Sequence, residues 1–157
     1  MIEQGQQLPE GSLSELTADG MTTHKVTELF AGKKAVLFAV PGAFTPTCSE
    51  AHLPGYVVLA DQFKEKGVDF IACVSVNDAF VMQAWGKAQN ANEILMLADG
   101  DASFTKALGL VKETGSFGGT RSERYAMIVE DGVVTTLNVE PPQTFEGSKA
   151  EAILALL

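Results

Sequence analysis

Apolar positions along the chain alternate between two kinds of run. Short, nearly unbroken runs stand at 35–40, 68–76 and 94–98, bounded by Gly, Pro and Asp, and read as buried strands. Between them lie stretches with helical spacing. From about Thr47 to Lys66, Leu53, Val57, Leu59, Ala60 and Phe63 approximate one apolar face, which Gly67 ends. Pro54-Gly55 interrupts that face early and predicts a kink or irregular turn. Asn77-Asp78 can cap a helix over 79–88, with Phe80, Val81, Ala84 and Trp85 inward, and 103–108 reads as a short helix.

Hairpin signals flank this series. Ala18-Asp19-Gly20-Met21 separates strand-like runs at 12–17 and 22–26, and Glu130-Asp131-Gly132 separates runs at 124–129 and 133–139. Residues 27–30 read as a helical turn, 112–122 as a Gly-rich loop, and 141–146 as loop. Ser148 reads as the cap of a last helix, 149–157. Strands alternating with helices imply parallel crossovers, and the closing hairpin adds antiparallel strands. The expectation is an α/β fold: one domain over 1–157 with a central mixed sheet, helices on both faces and an N-terminal β-hairpin.

Composition narrows the partners. The chain has 157 residues and a formal net charge of −9, which makes nucleic acid and anionic membrane poor prospects. The start, through Gln7, lacks the basic and apolar regions of a signal peptide, and no apolar run approaches membrane-spanning length. Two cysteines give no disulfide framework, so the expected location is cytoplasmic, where a thiol stays reduced. Two Cys and two His this scattered make no zinc site, and Gly118-Gly119 is too short for a phosphate-binding loop. His24, in the first hairpin, is expected to be exposed.

The candidate chemistry lies where the first core strand ends, in Val40-Pro41-Gly42-Ala43-Phe44-Thr45-Pro46-Thr47-Cys48-Ser49-Glu50. Thr45 suits an N-cap and Pro46 the first helical position. Cys48 then falls in the first helical turn, where unpaired amides and the helix dipole favour a negatively charged sulfur. A lone cysteine is more often buried and inert; the placement argues otherwise. His52 lies four residues on, so a Cys–His pair is conceivable, although Pro54-Gly55 weakens the regular geometry. Glu50 fits as a favourable charge in the first helical turn. Arg124 heads an otherwise apolar strand, an odd place for a charge if packing were its only role.

Pro41-x-x-x-Thr45-x-x-Cys48, followed by His52-Leu53-Pro54-Gly55, matches the peroxiredoxin signature. Blocks at 74–82, Trp85 and Arg121-Ser122-Glu123-Arg124-Tyr125 agree in the same order, so most of the chain resembles the type II, or fifth, peroxiredoxin subfamily. Thioredoxin activity itself is excluded, since Thr45 occupies the first position of the missing Cys-x-x-Cys. The resemblance implies a thioredoxin-like fold and a thiol peroxidase that reduces hydrogen peroxide and alkyl hydroperoxides. Cys48 would be the nucleophile and form a sulfenic acid. Thr45 and Arg124 would contact the peroxide, Pro41 would shield the sulfur, and His52 would support the site without acting as base. Arg121 would lie at the surface or behind the site, with Glu50 as a candidate partner. Gly42, Phe44 and Phe117 would border the substrate, and Phe44, Phe80 and Phe117 would add an apolar rim and a homodimer contact.

Cys73, inside an apolar strand, is expected to be buried and unreactive. The resemblance leaves it open as a resolving cysteine, with thioredoxin as reductant. The one-cysteine reading is preferred, because no cysteine follows near the C-terminal loops. It needs no bound cofactor or metal and uses glutathione as co-substrate, with glutaredoxin or further glutathione releasing the mixed disulfide. Two rivals come from other classes: a peroxide sensor signalling through Cys48 oxidation, and a cysteine hydrolase using Cys48 and His52.

Overall fold

The computed structural model describes all residues, 1–157. Its centre is a seven-stranded sheet in the order β2-β1-β5-β4-β3-β8-β9. The hairpin of β1 (Ser12–Thr17) and β2 (Gly20–Lys25) forms one edge, and β8 (Tyr125–Glu130) with β9 (Val133–Val139) forms the other. Between them β3 (Lys34–Ala39), β4 (Phe70–Ser75) and β5 (Ile94–Ala98) run parallel, while β1 and β8 join antiparallel. The chain has the expected thioredoxin-like architecture, a mixed sheet with helices on both faces.

Alternation along the strands divides the core into two layers. Val36, Phe38, Ile71, Cys73, Ala126 and Ile128 point to one face, against α2 (Leu53–Glu65), α3 (Ala79–Ala88) and α5 (Ala150–Leu154). Ala35, Leu37, Ala72, Val74, Met127 and Val129 point to the other, against α1 (Val26–Leu29) and α4 (Ser103–Leu108). Because the central strands are covered on both sides, they read as continuous apolar runs rather than alternating ones.

Several expectations need correction. Residues 112–122 are not all loop, because β6 (Val111–Glu113) and β7 (Thr120–Ser122) form a two-stranded ribbon with Lys112 opposite Arg121. The inner face of α3 is Ala79, Met82, Trp85 and Gly86, while Phe80 and Ala84 are exposed. Gly86 belongs there because a Cβ would stand 2.8 Å from Met96 Cγ. Ser148 does not cap α5, since its hydroxyl donates to Glu140 instead. His24 is half-buried, with Nε2 2.9 Å from Glu15 Oε1.

The irregularity expected near Pro54 lies just before it. Residues Cys48–His52 form a π-helical turn, in which the Leu53 N–H reaches back five residues to the Cys48 carbonyl. Pro54 has no N–H to give, and its ring would press on the carbonyl four residues earlier. Widening the turn by one residue accommodates it. Such turns are frequent at functional sites.

No helix is long and apolar enough to cross a membrane.

Candidate active site

Strand β3 delivers the chain to Pro41 at one end of the sheet. Asn77, just beyond β4, fixes the turn that follows: its Oδ1 accepts the Ala43 N–H at 3.0 Å and the Ser75 hydroxyl at 2.6 Å. Thr45 does not cap with its side chain. Its hydroxyl donates to the Gly42 carbonyl at 2.7 Å, and its own carbonyl accepts the Ser49 N–H at 2.9 Å. Gly42 packs closely there, and a Cβ would stand 3.2 Å from Thr45 Cγ2, a tight contact that the threonine would have to yield to. Phe44 has φ of +65°, and its exposed ring lies 6.5 Å from that of Trp85. The Trp85 indole N–H anchors the helix start by donating to Ser49 Oγ at 2.9 Å.

Cys48 follows in the π turn, fully buried and free, and its N–H makes no hydrogen bond. Its sulfur accepts an N–H from Arg124 Nη2 at 3.1 Å. Arg124 Nη1 lies 2.8 Å from His52 Nδ1, and His52 Nε2 lies 3.1 Å from the Ser148 carbonyl. A carbonyl only accepts, so Nε2 carries the proton and Nδ1 accepts from the guanidinium. Burial, then the adjacent Arg124 charge, push the His52 pKa down to about 3, against the opposing Ser148 carbonyl and Glu140 charge. A neutral imidazole with both nitrogens engaged is an orienting group, so no Cys48–His52 base pair is formed.

Ser148 and Glu140 extend this chain of contacts. The Ser148 carbonyl also accepts the Tyr56 hydroxyl at 2.7 Å. The Glu140 carboxylate accepts the Ser148 N–H and hydroxyl and the Glu146 and Gly147 N–H groups. Burial alone would raise the Glu140 pKa, but these bonds outweigh it and hold the carboxyl below its ordinary range. Phe145 covers the site, with its ring 5.1 Å from that of His52 and 5.8 Å from the Arg124 guanidinium.

Tyr56, Glu140 and Phe145 were not singled out from the sequence, and Ser148 only as a helix cap. The one available signal was polar: Tyr56 sits on the apolar face of α2, and Glu140 stands immediately before Pro141-Pro142.

Other predicted residues fall elsewhere. Arg121 is not paired with Glu50. It donates from Nε to the Gly118 carbonyl at 2.8 Å and from Nη1 to the Val76 carbonyl at 2.9 Å, stapling the 115–119 turn to the end of β4. Glu50 is exposed and forms no ion pair. Phe117 is 87% exposed on that turn and does not line the cavity beside Arg124. Cys73 is fully buried in the same core layer as Cys48. Burial, then the neighbouring Cys48, push its thiol pKa well up, against the pull of Arg124. No three His, Cys, Asp or Glu side chains converge to hold a metal ion.

The cavity beside Arg124 has a volume of about 380 Å³, and Pro41, Thr47, Lys112, Glu123 and Phe145 help to line it. The arrangement thus supplies a shielded sulfur, a fixed cation donating to it, and an unpaired amide in the same turn. It can stabilise charge that forms on an oxygen arriving beside the sulfur.

His52 gives the site a pH signature. Its folded-state pKa lies below the unfolded value of 6.5. Between those values the unfolded chain binds a proton that the folded chain does not, so stability is full above pH 6.5 and falls as pH drops toward 3. The slope is at most about 1.4 kcal/mol per pH unit. Urea midpoints between pH 7.5 and 5 are expected to fall on acidification, and to fall less in His52→Asn. An equal slope in both proteins would show that His52 is already solvated.

Comparison with known proteins gives a consistent picture. The Redoxin family model matches residues 3–154. Peroxiredoxin-2B of Arabidopsis thaliana is 46% identical over 159 residues, covering 99% of this chain and 98% of that protein. The crystal structure of reduced Prx3 in complex with H2O2 from Vibrio vulnificus is 75% identical, with a TM-score of 0.98 over 99% of each chain. The Plasmodium falciparum antioxidant protein, described as a 1-Cys peroxiredoxin, is 29% identical, with a TM-score of 0.92 over 99% of this chain and 98% of that one.

Proposed function

Because the chain belongs to the Redoxin family, and within it to the peroxiredoxins, which are thiol peroxidases, we propose that Cys48 reduces hydrogen peroxide and alkyl hydroperoxides in a one-cysteine cycle completed by glutathione. The observation that carries this reading is the Arg124 guanidinium, which donates to both the Cys48 sulfur and His52 Nδ1.

The Cys48 thiolate attacks one peroxide oxygen in line with the O–O bond. The S–O bond forms as the O–O bond breaks, and the departing oxygen leaves as water or an alcohol after taking a proton. Two of the five guanidinium N–H donors are committed to Cys48 and His52, so others are free for the peroxide. The unpaired Cys48 N–H completes the donor set, the Thr45 oxygen, whose proton goes to the Gly42 carbonyl, can accept the peroxide proton, and Pro41 excludes water. Donors aimed at developing charge contribute rate that thiolate formation alone would not. His52 orients Arg124. Arg121 and Gly42 hold the neighbouring turns, and Glu50 adds a charge in the first helical turn. The exposed rings of Phe44, Phe80 and Phe117 form an apolar rim and a homodimer contact. The reaction uses no bound cofactor, and the chain works in the cytoplasm as one domain.

Burial of Cys73 in the central strand and its raised thiol pKa support the one-cysteine cycle. The Plasmodium falciparum relative is described in the same terms. Glutathione then forms a mixed disulfide with Cys48, which glutaredoxin or more glutathione releases.

The test is intact mass after a slight excess of peroxide, followed by glutathione, in the native chain, Cys48→Ser and Cys73→Ser. We expect one added oxygen in the native chain and in Cys73→Ser, converted by glutathione to a mixed disulfide, and no turnover in Cys48→Ser. A loss of two hydrogens that disappears in Cys73→Ser would replace this cycle by a two-cysteine one with a thioredoxin-like reductant. Undiminished turnover in Cys48→Ser would remove Cys48 from the chemistry.

A further inference from the structure

The cavity beside Arg124 carries two charges that the peroxide step does not use. Lys112 lies in β6 and Glu123 immediately after β7. In the ribbon Lys112 stands opposite Arg121, and the Glu123 N–H bonds to the Leu110 carbonyl at 2.8 Å. Glu123 is therefore two positions along from the residue facing Lys112, on the same face of the ribbon. Both residues line the cavity, and neither joins an ion pair.

Of the other charged lining groups, Arg124 is committed to Cys48 and His52, and Glu140 is saturated by its own loop. One cation and one carboxylate thus remain unpartnered beside the guanidinium that touches the sulfur. A hydrogen peroxide molecule needs neither of them, and it would occupy little of about 380 Å³, a volume within the range of small-ligand sites.

We propose that this cavity binds the reducing thiol, and that it selects a small zwitterionic thiol whose carboxylate meets Lys112 and whose ammonium meets Glu123. The proposal rests on the reading that an external thiol completes the cycle. The bound thiolate attacks the sulfur of Cys48 sulfenic acid, an S–S bond forms and the S–O bond breaks. Hydroxide leaves and combines with the proton given up by the thiol, so one water is released. A second thiol attacks the mixed disulfide, giving the external disulfide and the Cys48 thiolate.

The experiment compares glutathione with 2-mercaptoethanol, a thiol without charge, as reductant for the native chain, Lys112→Ala, Glu123→Gln and the double variant. The readout is the ratio of kcat/KM for glutathione to that for 2-mercaptoethanol within each protein, which cancels any shared loss of folding or peroxide reactivity. We expect each single variant to lower the ratio about five-fold, the size of one exposed ion pair, and the double variant to lower it further. A ratio in the variants equal to the native one, with the native chain active on glutathione, would overturn the cavity assignment alone. A native chain that forms the sulfenic acid but turns over only with a protein thiol would overturn both the assignment and the glutathione reading.

Discussion

Arg124→Ala is expected to fold and to react with hydrogen peroxide about a hundred- to a thousand-fold more slowly than the native chain. The magnitude is that of removing one preorganised donor from a site where charge develops. Two contacts are lost together, the 3.1 Å donation to the sulfur and the 2.8 Å donation to His52. Lysine would restore the charge but not the planar fork that reaches both groups, so Arg124→Lys is expected to recover only part of the rate. The single tryptophan supplies the signal for stopped-flow fluorescence, because Trp85 is bonded to Ser49 beside the reacting residue. A near-native rate in Arg124→Ala would mean that the Cys48 amide suffices as donor.

Glu140→Ala is expected to lower stability by about 3 kcal/mol. Hydrogen bonds to charged groups contribute roughly 1.5–3 kcal/mol each, and the substitution orphans the Ser148 and Glu146 amides, with partial rescue by water. For a chain of this size the melting temperature falls by roughly 6–12 °C. Peroxide reactivity should fall as well, because the loop held by Glu140 presents the Ser148 carbonyl to His52. Glu140→Gln retains an acceptor and is expected to lie between the two. Scanning calorimetry and the stopped-flow rate on the same variants would check the coupling. A melting temperature within 2 °C of native would show that the loop is held by its other contacts.

The main course of the fold was legible because the central strands are covered on both faces. Their apolar runs at 35–40 and 94–98 stand out without any partner information, and Ile94–Ala98 forms as expected. The structure brings Cys48, singled out by its place at the helix start, against Arg124, singled out by the resemblance, while Thr45 does not cap as its position suggests. The β6–β7 ribbon was not, since strands of three residues among glycines carry no periodic signal. Tyr56 was lost for a related reason: on an apolar helix face an aromatic ring counts as core, and its hydroxyl acquires meaning only through the Ser148 carbonyl. Helical spacing puts Phe80 inward by its apolar identity, whereas the resemblance puts it at an exposed rim; the structure exposes it, with Gly86 packed tightly on Met96 on the inner face of α3. Arg121 was given a charged partner, but two backbone carbonyls satisfy it. Such acceptors exist at every residue and leave no trace in composition.

The contacts around the sulfur also have a temporal meaning. Cys48 and Arg124 are separated by 76 positions, and His52 and Ser148 by 96. Loops of that length close late, because their ends must be brought together against chain entropy before any contact rewards them. During synthesis Cys48 emerges long before its guanidinium and before the Ser148 carbonyl that orients His52. A chain that has not yet closed those loops therefore holds Cys48 without its guanidinium donor. Peroxide reactivity is thus expected to arrive late in folding and to be lost when the 140–148 loop comes away.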